Sequence, residues 1–135
     1  SWNDDFFTSG FPGSQSPNFS FTSIYSYNET RPGIKDTGWV EPTNISNPVP
    51  VGQGRLCYIG PVPLTVDVTG APAKFNRTFA LTYTPSAGSL NDGWNLVANP
   101  YPSSINWDAP TGWVRTNVSG AVQVWNPTLQ QYASY

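Results

Sequence analysis

An all-β fold, an antiparallel β-sandwich of two related halves rich in loops and without a long helix, is what this sequence predicts. Three observations carry that expectation. Charged residues make up only 10% of the chain, yet aromatics reach 15%, with 6 Trp, 7 Tyr and 7 Phe. Chains of low charge that stay disordered are poor in aromatic and β-branched residues, so this one should fold. The 14 prolines and 12 glycines leave little room for helix interiors. Several segments alternate apolar and polar residues with period two, and none sustains a period of 3.6.

The elements follow in chain order. A short helical turn is expected at Asp4–Phe7. Strands are expected at Ile24–Tyr27, Trp39–Val40 and Arg55–Ile59. In the next, Leu64, Val66 and Val68 face one side while Thr65 and Asp67 face the other. Phe79, Leu81 and Tyr83 alternate in the same way with Ala80, Thr82 and Thr84. Asn91-Asp92-Gly93 separates that segment from Trp94–Ala98, the arrangement of a hairpin. A second helical turn is expected at Ser103–Trp107. The last strands are Trp113–Val114, Val122–Trp125 and Gln131–Ser134. Arg31-Pro32-Gly33, Gly52-Gln53-Gly54 and Thr69-Gly70 supply turn chemistry between strands.

An internal echo divides the chain into halves at about 1–70 and 71–135. Ser23-Ile24-Tyr25-Ser26-Tyr27-Asn28-Glu29 can be laid on Ala121-Val122-Gln123-Val124-Trp125-Asn126-Pro127. An acidic-aromatic stretch precedes each, Trp2-Asn3-Asp4-Asp5-Phe6 in one case and Ile105-Asn106-Trp107-Asp108 in the other. The first copy is followed by Gly38-Trp39-Val40 and by Val51-Gly52-Gln53-Gly54-Arg55-Leu56. No Gly-x-Gly strand follows the second copy before Tyr135, so the second half is expected to be cut short. The missing initiator Met and signal peptide likewise suggest a processed or excised N-terminus.

Gly93-Trp94-Asn95-Leu96-Val97-Ala98-Asn99-Pro100-Tyr101-Pro102 is followed by Ser103-Ser104-Ile105-Asn106-Trp107-Asp108 and by Val122-Gln123-Val124-Trp125-Asn126-Pro127. This series resembles a repeat of large secreted surface proteins of Bacteroidetes bacteria. Asp4-Asp5-Phe6-Phe7 through Pro50-Val51-Gly52-Gln53-Gly54 also resembles the region upstream in such proteins. Ala98 stands where the family usually has Gly, and Asn106 where it usually has Asp; both changes leave the turn chemistry intact. The resemblance implies export by the type IX secretion route and display on, or release from, the cell surface. Adhesins, gliding-associated proteins and polysaccharide-degrading enzymes of these bacteria carry such modules.

Several function classes are disfavoured by what the sequence lacks. With no histidine, Ser–His–Asp or Cys–His catalysis and His-ligated zinc are excluded. Gly52-Gln53-Gly54 lacks the Lys and Ser/Thr of a phosphate loop. A net charge of −2, with 6 scattered Lys and Arg, argues against nucleic acid. No run approaches the ~18 apolar residues of a membrane span, so no insertion is expected. Glu29 and Glu41 are the nearest thing to a carboxylate pair for glycoside hydrolysis, but the remaining acid–base repertoire is missing and no enzyme is expected. The lone Cys57, in Leu56-Cys57-Tyr58-Ile59, reads as a buried small hydrophobe.

Two kinds of site stay open. Trp107, Trp113, Gln123 and Trp125 are candidates for a sugar contact, because flat rings stack on the apolar faces of sugars while amides bind hydroxyls. The competing reading makes these rings core or loop clamps in a domain poor in Leu and Ile. Asp4, Asp5 and Asp92 are candidate hard-oxygen ligands for calcium, although Asn-Asp clusters more often make turns. Five Asn-x-Ser/Thr triplets start at Asn18, Asn28, Asn44, Asn76 and Asn117 and read as a by-product of composition. The expected function is an extracellular structural or adhesive module whose partners are neighbouring domains or identical copies. The alternative is a carbohydrate-binding module of a polysaccharide-active enzyme.

Overall fold

The structure, a computed structural model, describes residues 2–60, 63–67, 69–86 and 88–135. It is mostly non-helical, with a few antiparallel strands in two small sheets and no long helix. The elements are α1 (Trp2–Asp5), β1 (Ile24–Tyr27), a 3-10 turn (Lys35–Gly38), β2 (Trp39–Val40), β3 (Leu56–Cys57), β4 (Gln123–Asn126) and β5 (Gln131–Ser134). Two compact units hold them: unit 1, Ser1–Pro102, and unit 2, Ser103–Tyr135. The boundary falls inside the second of the halves read from the sequence.

Unit 1 is organised around β1, which carries β2 on one edge and β3 on the other. Ser26 lies opposite Val40 and Tyr27 opposite Trp39; Ile24 lies opposite Cys57 and Tyr25 opposite Leu56. The Tyr27 and Trp39 rings meet edge to face at 5.0 Å, an arrangement that suits the ring quadrupoles. Gly38 makes room for this pair, since a Cβ there would lie 2.4 Å from Tyr27 Cζ. Phe6, Phe11 and Ile24 form the buried apolar centre, with Trp2, Ile45, Cys57 and Leu64 packed against it.

That centre is small, and much of the interior is polar. Thr8, Ser9, Ser14, Thr22 and Ser23 are buried, and most hydrogen-bond within the 8–23 loop. Ser9 N–H donates to Ser23 Oγ at 3.0 Å, Ser9 Oγ to the Phe21 carbonyl at 2.8 Å and Ser14 Oγ to the Phe11 carbonyl at 2.6 Å. Buried hydroxyls are tolerated when paired in this way. A chain short of Leu and Ile closes its interior with such bonds as much as with apolar burial.

Several expected strands do not form ladders. Leu64 joins the core, but 63–67 form no ladder among the described residues, and Val68 lies outside them. The 79–83 and 94–98 segments do not make the expected hairpin. Asn95 instead bonds Thr82 through its side chain, accepting from the N–H at 3.2 Å and donating to the carbonyl at 2.9 Å. The 94–98 backbone turns to Gly52-Gln53-Gly54: Gly54 N–H donates to the Leu96 carbonyl at 3.1 Å and Ala98 N–H to that of Gly52 at 2.9 Å. Gly52 has φ +86°, and a Cβ there would lie 2.3 Å from Phe79 Cε1. The Phe79 ring therefore lies over this glycine. Trp113–Val114 is not a strand either. Asp4–Phe7 is replaced by α1, slightly earlier, and no helix forms at Ser103–Trp107, where Asn106 Oδ1 caps a turn by accepting Asp108 N–H at 3.0 Å.

Unit 2 is the β4–β5 hairpin and the loop before it. Gln123 lies opposite Ser134, Val124 opposite Ala133, Trp125 opposite Tyr132 and Asn126 opposite Gln131. Asn126 Oδ1 accepts the N–H groups of Thr128 and Leu129 at 3.0 and 3.1 Å, which closes the connecting turn. None of the residues 103–135 is buried.

Candidate functional site

The sugar candidates all fall in unit 2, where the structure sorts them into two aromatic pairs. Trp107 and Trp113 meet at 5.1 Å with planes 60° apart. Each indole N–H is spent on the backbone: Trp107 Nε1 donates to the Gly120 carbonyl at 2.7 Å and Trp113 Nε1 to that of Asn106 at 2.8 Å. Arg115 places its guanidinium 5.3 Å from the centre of the Trp107 ring, within cation–π reach, and donates to the Trp107 carbonyl at 3.2 Å. Both indoles thus pin the 103–120 loop.

Trp125 forms the second pair with Tyr132 across the hairpin, at 5.2 Å and 67°. Trp125 is 46% and Tyr132 53% exposed. Gln123 lies two residues before Trp125 on the same face of β4, as alternation requires. Neither pair is coplanar. A sugar ring laid on one member would meet the edge of the other.

Asp4 and Asp5 lie in α1 and Asp92 in the 91–93 turn. Asp5 Oδ1 accepts Asp67 N–H at 3.2 Å. Asp92 Oδ2 accepts Ser86 N–H at 2.7 Å, while its Oδ1 is buried without a hydrogen-bond partner. Among the described residues no group of three or more His, Cys, Asp or Glu side chains gathers.

The carboxylate pair separates into two roles. Glu41 is exposed. Glu29 is buried, 3% exposed, and both its oxygens are engaged. Thr84 N–H and Gly93 N–H donate to Oε2 at 2.9 and 3.1 Å, and Thr84 Oγ1 donates to Oε1 at 2.9 Å. Burial pushes the carboxyl upward, but these donors outweigh it and hold its pKa below the ordinary 4.5. Beside it, fully buried Asn91 donates through Nδ2 to the Arg31 carbonyl and accepts from Ser89 Oγ. Leu90 N–H adds a bond to the Gly33 carbonyl at 2.8 Å. Glu29 and Asn91 fasten Thr84 and residues 89–93 onto the 29–33 turn, a polar clasp that no local sequence pattern announced.

Cys57 is half-buried against the core; burial raises its thiol pKa, with the Arg55 charge opposing. The described residues of unit 1 include the walls of two clefts. One, of about 200 Å³, runs beside Trp2, Ile24, Glu41 and Ile45. The other, of about 530 Å³, is lined by Tyr27, Asn28, Gln53, Phe79 and Asn95 among others.

Two of the Asn-x-Ser/Thr triplets have a structural role. Asn28 Oδ1 accepts both the N–H and the hydroxyl of Thr30 at 3.0 and 2.8 Å. Asn44 Oδ1 does the same with Ser46 at 2.9 and 2.7 Å. The hydroxyl two residues on doubles the bond of an Asx turn, a physical reason for this spacing. No family model matches this chain, and neither does a curated protein or a solved structure.

Proposed function

We propose that this chain is an extracellular structural or adhesive module of a larger bacterial surface protein, a β-sandwich of two related halves that packs against neighbouring domains or identical copies. The observation that carries the reading is unit 2. Its hairpin offers Val124, Trp125, Leu129 and Tyr132 with little cover, and none of its residues is buried. A two-stranded hairpin is marginally stable alone, so such a surface gains from a neighbour. Edge-to-face rings add contact area without forming a flat platform for a sugar. Composition and the Gly93–Pro102 pattern support an exported protein of the type IX class. Glu29 is given a structural role here, with its oxygens saturated by Thr84 and Gly93, and the chain no catalytic one.

The alternative, a carbohydrate-binding module, draws support from the larger cleft of unit 1. Phe79 is partly exposed there beside the amides of Asn28, Gln53 and Asn95, an aromatic face with neutral hydrogen-bonding groups. Depletion of the chain by insoluble cellulose, chitin and xylan separates the two. The scaffold reading expects no saturable depletion. Saturable depletion that disappears on Trp125→Ala or Phe79→Ala would replace it with the sugar-binding reading.

A further inference from the structure

We propose that the outer edge of β4 accepts a further strand, and that its occupant is an extended segment with the chemistry of Gly52–Tyr58: a Gly-x-Gly lead followed by a strand. The inference rests on the scaffold reading and deepens it by naming where a neighbour attaches and in what register.

β1 and β4 share a likeness that exceeds their sequence echo. With Tyr27 laid on Trp125, the cross-strand neighbours coincide. Tyr27 lies opposite Trp39 and Ser26 opposite Val40; Trp125 lies opposite Tyr132 and Val124 opposite Ala133. Both aromatic pairs are edge to face, at 5.0 and 5.2 Å. The next residue is Asn in each, and in each its Oδ1 accepts the N–H of the Thr two positions on, Thr30 and Thr128, at 3.0 Å. β5 therefore stands to β4 as β2 stands to β1.

β1 carries a second neighbour, and β4 has none among the described residues. Hydrogen bonding shows which groups are concerned. Val122 and Tyr135 exchange both N–H···O bonds at 2.9 Å. Facing residues of an antiparallel pair alternate, so Val124 and Asn126 also turn their backbone groups toward β5. The N–H and C=O of Gln123 and Trp125 then point to the other edge. Their counterparts in unit 1 are Tyr25 and Tyr27, and Tyr25 lies opposite Leu56 of β3. Tyr58 N–H donates to the Ser23 carbonyl at 2.9 Å, which places 56 and 58 as the residues that bond β1 and turns Cys57 N–H away from it. Transferred to unit 2, the incoming Leu bonds Gln123 and the incoming Tyr N–H donates to the Ala121 carbonyl, as Tyr58 does to Ser23, the Ala121 N–H being held by Ser119 Oγ at 3.2 Å. An unpaired row of this kind is what an added strand uses for affinity.

The test uses the whole chain and a synthetic peptide of the Val51–Tyr58 sequence carrying Cys57→Ser, read by fluorescence anisotropy of a label on the peptide. Saturable binding is expected. N-methylation at the peptide's Leu, which removes the N–H aimed at Gln123, should abolish it; N-methylation at the neighbouring Ser, which faces away, should leave it within about twofold. Gln123→Pro should weaken binding by about tenfold or more, since it removes an edge N–H without touching the bonds to β5. It also separates this edge from β1, should the peptide compete with β3 there. If Gln123→Pro fails to fold, the two methylated peptides decide the matter on the unaltered chain. Absence of saturable binding, or equal loss from both methylations, overturns the proposal. Sedimentation of the chain alone is a separate readout: a chain that takes the peptide yet never associates keeps the strand acceptor and loses the self-associating scaffold.

Discussion

Replacing Asn91 by alanine should destabilise unit 1 by about 2–3 kcal/mol, although Asn91 lies in a turn rather than in a strand. The side chain is fully buried and joins two segments far apart in sequence, donating to the Arg31 carbonyl and accepting from Ser89. Ser89 Oγ has a second acceptor in the Gly33 carbonyl at 3.3 Å, so losing its bond to Asn91 costs little. The Arg31 carbonyl loses its donor in a part-buried bond between segments distant in sequence, at a cost of about 1–2 kcal/mol. The small void left by the amide adds to it. For a unit of this size the sum corresponds to a fall in Tm of about 10–20 °C. Asn91→Asp sharpens the test. It keeps the shape and the acceptor for Ser89 but sets a carboxylate against a carbonyl. Burial and that neighbour would raise the new group's pKa, so its penalty should be full at neutral pH. The penalty should shrink as the pH falls toward the unfolded value of about 3.9. Thermal unfolding followed by circular dichroism, comparing variants with the parent at each pH, measures both effects. A fall under about 3 °C for Asn91→Ala would mean that the clasp does not hold unit 1 together.

Three further outcomes follow from the same physical picture. Glu29 titrates below its ordinary 4.5 in the folded chain. Its contribution is therefore fully present above that pH and is lost as the pH falls through the folded value; Glu29→Gln should lower Tm at pH 7 and flatten this acid limb. Phe11→Ala, at a side chain only 1% exposed, should cost about 3–5 kcal/mol in urea unfolding and leave little folded unit 1. Gly52→Ala sets a Cβ 2.3 Å from the Phe79 ring at φ +86° and should lower stability by about 1–3 kcal/mol, with Phe79→Leu restoring part of the loss.

What the sequence revealed and what it hid have physical causes. Ile24–Tyr27, Trp39–Val40 and Gln131–Ser134 lie where alternation and flanking turns place them, because each is paired locally and its register follows from a nearby turn. Phe79–Tyr83 and Trp94–Ala98 carry equally good patterns but no ladder between them. Gly52 accepts the Phe79 ring and Gly52–Gly54 claims the backbone of 96–98, and pairing partners so distant in sequence leave no trace in period two. The clasp was hidden for the same reason. Glu29 reads only as one of a carboxylate pair with Glu41 until Thr84 and Gly93, more than fifty positions away, bring their N–H groups to it. Of the sugar candidates, the shared face of Gln123 and Trp125 was legible from period two. The bonds that commit both loop indoles to backbone carbonyls were not.

Sedimentation velocity of the pure chain across a hundredfold range of concentration tests the central claim, a structural module that works by packing against its neighbours. Association should grow with concentration and weaken on Trp125→Ala, which strips the exposed ring from the hairpin. A single monomeric species throughout, unchanged by that substitution, would contradict it.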